Sequence, residues 1–113
     1  MDCIFCEIVA GRKPGKIVYQ DEQVTAFWDI HPAAPVHLLI VPNRYIASVN
    51  EATAEDAALL GRLFGVARQL AQEQGIHQSG YRLIVNTGPD SGQMIPHLHL
   101  HLLGGRHMRY PVG

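Results

Sequence analysis

The stretch "HLHLHLL", His97 to Leu103, decides how this chain is read. Successive side chains of a β-strand point to opposite faces, so the period-two spacing puts His97, His99 and His101 on one face and Leu98, Leu100 and Leu102 on the other. The leucine face packs into a core. The histidine face needs a chemical use, because an ordinary solvent-facing strand is rarely so narrow in its choice of polar residue. A fourth histidine, His37, falls in a second β-rich run, "PVHLLIVP" (35–42), where bracketing prolines start and stop a strand abruptly.

Working outward, "YRLIVN" (81–86) reads as a strand and "TGPDSGQMIP" (87–96) as a turn-rich loop that delivers the chain to the histidines. "TAEDAALLGRLFGVARQLAQEQG" (53–75) reads as the one long helix: Thr53 and Asp56 stand at capping-box spacing, and Gly75 marks a stop. Its buried stripe is expected to be Leu59, Leu63, Ala67 and Leu70, widened by Leu60 and Phe64. Nearer the N-terminus, "KIVYQ" and "VTAFWDI", separated by the polar "DEQ", read as a hairpin, and "CIFCEIVAG" as a short helix ended by Gly11. Strands, one amphipathic helix, then strands again define an α+β architecture whose mainly antiparallel sheet is covered on one side by that helix. Residues 1–113 are read as a single domain.

Composition removes several classes of function. With 113 residues, 47% of them apolar, the chain has the make-up of a soluble globular protein, and no run approaches the roughly 18 apolar residues of a membrane span. A net charge of −1 with mixed signs leaves no footprint for polymeric nucleic acid or an anionic membrane, so a small ligand is expected. The start, "MDCIFCEIVAGRK", lacks the basic segment and long apolar stretch of a secretory signal, which points to the cytoplasm. The only cysteines, Cys3 and Cys6, are too close to staple a fold and better suited to a metal or a redox pair.

Two chemistries compete for the histidines. Neutral imidazole is the commonest metal ligand, but alternate strand residues stand roughly 6.5–6.8 Å apart, so three in a row cannot all reach one ion through bonds of about 2.0–2.1 Å. Nor does "LLGGRHMRYPVG" supply a carboxylate downstream. The alternative is nucleophilic catalysis by one neutral imidazole, with its neighbours fixing the tautomer and handling protons. The preceding "SGQ" is then expected to offer turn N–H groups to an anionic oxygen.

With these residues in place, the sequence resembles the histidine-triad (HIT) family, most closely its Hint branch of nucleoside phosphoramidases. The resemblance rests on "HLHLHLLGGRHM", "FWDIHPAAPVHLLIVPNRYI" and "GYRLIVNTGPDSGQ", in order and over nearly the whole chain. It implies a sheet of about five antiparallel strands with one long helix and a short N-terminal helix, and a symmetric homodimer. It implies that His99 attacks the α-phosphorus of a purine nucleoside phosphoramidate, such as an AMP-amine or adenosine phosphoramidate, and that water hydrolyses the resulting nucleotidyl-histidine. His101 corresponds to a group that binds phosphate oxygen, and His97 and His37 to supporting histidines. Asp29 corresponds to the ribose-binding carboxylate and Ile30 to a base contact, while Asn86, Gly92, Gln93 and Met94 fall on the phosphate side. The family also contains a branch that hydrolyses dinucleoside polyphosphates, and a nucleotide-binding scaffold with weak catalysis is a further reading of the same motif.

Three departures or additions complete the reading. Where many relatives carry a hydrogen-bonding serine, Met94 stands, so its contribution is expected through main chain alone. Zinc-binding relatives pair an N-terminal Cys-x-x-Cys with the first triad histidine and a second histidine, and here Tyr45 occupies that last position. Cys3, Cys6 and His97 are therefore an incomplete set for four-coordinate structural zinc, so no cofactor is required, and zinc at Cys3 and Cys6 stands as the less favoured alternative. The tail "RYPVG" resembles one whose aromatic residue, Tyr110 here, approaches the partner subunit's active site.

Overall fold

The computed structural model describes residues 3–112. Two helices and five strands follow one another: α1 (Ile4–Val9), β1 (Ile17–Gln20), β2 (Val24–Trp28), β3 (Val36–Pro42), α2 (Ala57–Glu73), β4 (Tyr81–Ile84) and β5 (Leu100–Gly104). The strands form one sheet in the order β1-β2-β3-β5-β4, and every neighbouring pair is antiparallel. The α+β reading and its strand and helix count hold.

Alternation along each strand sorts the side chains into two cores. On one face Val24, Ala26, Leu38, Ile40, Leu100 and Leu102 meet α2, whose Leu63, Val66, Ala67, Leu70 and Ala71 are buried. On the other face Phe27, Leu39 and Val41 pack against Phe5 and Ile8 of α1. Burial of this kind is the main term holding the fold. The leucines Leu98, Leu100 and Leu102 are all nearly inaccessible, as the period-two pattern requires.

Four local readings need correction. The stretch beginning at Thr53 opens as a 3-10 turn (Ala54–Asp56), and the α-helix proper starts at Ala57; the Asp56 carboxylate still accepts the Thr53 N–H at 2.8 Å, the return half of a capping box. Phe64 does not widen the buried stripe: it lies on its flank, half-exposed, and Val66 and Ala71 take its place. β4 ends at Ile84, so Val85 and Asn86 belong to the loop. β5 begins only at Leu100, so His97 and His99 precede the strand, held by bonds from His97 N–H to the Ile95 carbonyl and from Leu98 N–H to the Ile46 carbonyl. Beyond β5, Gly105 turns the chain at φ +91°, and a Cβ there would sit 2.9 Å from Pro35 Cβ. Glycine alone fits that position without strain.

Candidate active site

The face of the sheet away from α2 carries a cavity of about 450 Å³ between α1, β2, β3 and the 86–95 loop. Asp29, Ile30, Asn86, Gly92, Gln93, Met94, His99 and His101, all singled out in the sequence as ligand contacts, line it. His37 and His97 do not; they stand behind His101 and His99 and hold them.

Fixed main-chain partners assign the proton on each ring. His97 Nε2–H donates to the Pro42 carbonyl at 3.0 Å, and His99 Nδ1–H to the His97 carbonyl at 2.7 Å, because a carbonyl only accepts. The lone pair of His99 is left on Nε2. Ala33 N–H donates to His37 Nδ1 at 3.0 Å, which leaves the His37 proton on Nε2, 3.0 Å from His101 Nδ1. His37 therefore donates to His101, whose own N–H is placed on Nε2. A ring with a free Nε2 lone pair and a ring with an Nε2–H donor stand side by side, with centroids 4.9 Å apart.

Burial keeps these rings uncharged. Desolvation lowers the pKa of His37, His97 and His99 and pushes His101 down to about 4, with His99 and His37 adding to the depression at His101. The charge of Asp29 opposes the shift at His37, His99 and His101. Its Oδ2 lies 3.4 Å from His37 Nε2, and its Oδ1 accepts the His31 N–H at 2.8 Å.

The loop that closes the cavity is braced from within. Gln93 accepts the Gly88 N–H and donates to the carbonyls of Ala47 and Ile95, at 3.0–3.1 Å, so its amide serves the loop. The N–H groups of Gly92 and Gln93 also turn inward, to the Pro89 and Gly88 carbonyls at 3.0 and 3.4 Å. The expectation that "SGQ" presents its N–H groups outward does not hold for these two. Met94 and Ile30 project as exposed apolar lips, 91% and 83% accessible.

Two clusters bring metal-ligating side chains together. Cys3 Sγ and Cys6 Sγ stand 3.1 and 3.3 Å from His97 Nδ1, and the edge of the Tyr45 ring packs on that imidazole at a centroid distance of 5.5 Å. Among the described residues these are three donors where structural zinc takes four. The set does not fit structural zinc. Asp29, His37 and His101 also offer three atoms within 4.8 Å of one another. Here the Ala33 N–H occupies His37 Nδ1 and forces the proton onto Nε2, the nitrogen that a cation would need.

Sequence reasoning missed the apolar floor of the cavity: Phe5 and Ile8 from α1, and the cross-strand pair Phe27 and Leu39. Their signal was present as i, i+3 spacing in "FCEI" and as alternation on β2 and β3. What was missing was that this second face also packs. Tyr110 lies outside the cavity; its carbonyl and that of Pro111 accept from Arg82 of β4, at 2.8 and 3.3 Å.

Comparison with known proteins identifies the family of this fold. The HIT domain matches residues 10–108. The purine nucleoside phosphoramidase of Escherichia coli K12 is 50% identical over 105 residues, covering 93% of this chain and 88% of its own. The crystal structure of a HIT family hydrolase from Legionella pneumophila superposes with a TM-score of 0.96 at 45% identity, covering 99% of this chain and 100% of that one. A HIT family hydrolase from Clostridium thermocellum gives 0.95 at 45% identity, over 98% and 96% of the two chains. On sequence and fold alike, the chain belongs to the HIT domain family.

Proposed function

We propose that the protein hydrolyses the P–N bond of purine nucleoside phosphoramidates through a nucleotidyl intermediate on His99. The observation that carries this reading is the His99 ring itself: its Nδ1–H is committed to the His97 carbonyl, which leaves Nε2 as a lone pair beside a cavity of nucleotide size. The 50% identity to a purine nucleoside phosphoramidase supports the substrate class.

His99 Nε2 forms a bond to the α-phosphorus as the P–N bond breaks, and the amine departs with one proton taken from solvent, which the attacking water gives back in the next step. Water then attacks the same phosphorus, the P–His99 bond breaks, and a nucleoside monophosphate leaves with the imidazole restored. The net reaction consumes one water. Such a displacement needs positioning and charge stabilisation above all. His101 Nε2–H is placed to bind a phosphate oxygen, and His97 and His37 hold the two working rings in their tautomers. Asp29 takes the ribose hydroxyls and Ile30 covers the base, while Asn86, Gly92, Gln93 and the Met94 main chain bound the phosphate side. The reading calls for no metal ion. A cytoplasmic homodimer goes with it, in which the Tyr110 tail of each copy serves the other's site.

His99→Ala is expected to abolish release of AMP from an AMP-amine conjugate while AMP binding persists in calorimetry. Wild-type turnover in that variant would remove His99 as nucleophile. Faster turnover of a diadenosine polyphosphate than of the AMP-amine would assign the protein to the dinucleotide branch, and binding without turnover would make it a binding module.

A further inference from the structure

Resting on the reaction proposed above, we infer that Asp29 is the counter-charge of the histidine cluster, so that a residue placed to grip the ribose also stabilises the reacting imidazoles. The geometry is specific. The His31 N–H holds Oδ1 at 2.8 Å, which leaves Oδ2 aimed at His37 Nε2, 3.4 Å away. From there the contacts run on without a gap, 3.0 Å to His101 Nδ1 and then to the His99 ring at a centroid distance of 4.9 Å.

The chemistry supplies the need. When His99 Nε2 bonds to phosphorus, its Nδ1–H is still donated to the His97 carbonyl, so the ring becomes a cation. That cation forms at a residue only 8% exposed, where desolvation penalises positive charge. Of the groups facing the cluster, His37 and His101 are imidazoles that resist further charge, and Phe5 of α1, T-shaped to His99 at a centroid distance of 5.0 Å, carries no charge. Arg82 of β4 engages the tail carbonyls of Tyr110 and Pro111. Asp29 is the group that favours the charged form of His37, His99 and His101 together. A carboxylate kept for ribose alone would not need to stand against an imidazole.

The test crosses one substitution with one substrate change. Asp29→Asn is compared with wild type on an AMP-amine conjugate and on its 2′,3′-dideoxy counterpart, which has no hydroxyl for a carboxylate to bind. The expected result is a fall in kcat of about tenfold, the equivalent of one pKa unit, on both substrates, with the rise in KM confined to the one that keeps its hydroxyls. A loss seen only with the ribose substrate would overturn the inference. A second arm needs no turnover: imidazole resonances of the ligand-free protein are titrated by NMR, and Asp29→Asn is expected to move the cluster to lower pH. Titrations identical to wild type would refute the counter-charge. If wild type cleaves no phosphoramidate, the proposed reaction fails, and this arm still decides the inference.

Discussion

At the scale of single residues, four histidines with one side chain do four things, and the difference lies in what each ring's second nitrogen touches. His97 meets a carbonyl on one side and two thiols on the other, whereas His99 meets a carbonyl and open cavity. The first is a strut, and the second is the ring to which the proposed reaction assigns the attack. Because burial lowers the pKa of His99, the neutral ring persists below its ordinary value of 6.5, so the acid limb of kcat/KM is expected below pH 6.5. A profile falling already above that pH would show the limb belongs to another group. These roles were only partly legible in "HLHLHLL". The spacing marked three imidazoles as special, but the proton of His97 is placed by Pro42 and that of His101 by Ala33 through His37, positions remote in sequence from the triad and silent in any local pattern.

At the scale of elements, the sheet's two faces explain what the sequence revealed and what it concealed. The strands and α2 were readable because alternation and a 3.6 period report burial directly, and Leu70, fully buried, typifies the result. Leu70→Ala is expected to cost about 2–5 kcal/mol, measurable as a lower urea midpoint with an unchanged slope. α1 was readable as a helix, and the i, i+3 pair Phe5 and Ile8 marked its apolar side, but nothing in so short a segment says which face of the sheet it covers. Boundaries failed where the main chain makes irregular bonds: β5 starts late because His97 and Leu98 are tied to Ile95 and Ile46. Past that strand, Gly105→Ala is expected to lower thermal stability, because the new Cβ meets both a positive φ and the Pro35 ring; an unchanged midpoint would mean the turn yields freely.

Across the whole molecule, the buried imidazoles tie stability to pH. Their folded-state pKa values lie below the unfolded 6.5, so the unfolded chain binds more protons, and stability falls as pH drops from about 6.5 towards the value near 4 for His101. Asp21 and Asp56, whose pKa values are lowered, add their own loss below about 3.8 as the unfolded carboxylates protonate. Denaturant midpoints that stay flat between pH 7 and 4.5 would contradict this. Protein purified without added zinc is expected to hold well under one equivalent of metal, since among the described residues Cys3, Cys6 and His97 supply three of the four ligands that structural zinc takes; a stoichiometric content would overturn that fit. Finally, the pairing of β3 with β5 sets when the site exists during folding. His37 and His101 stand 64 positions apart along the chain, and they meet only once that pair has zipped. Long-range strand pairing is slow because loop closure precedes any reward, while a helix such as α2 forms early. Catalytic competence is thus a clock for the last stage of folding: in a refolding jump, recovery of turnover should lag the far-ultraviolet signal of the helix.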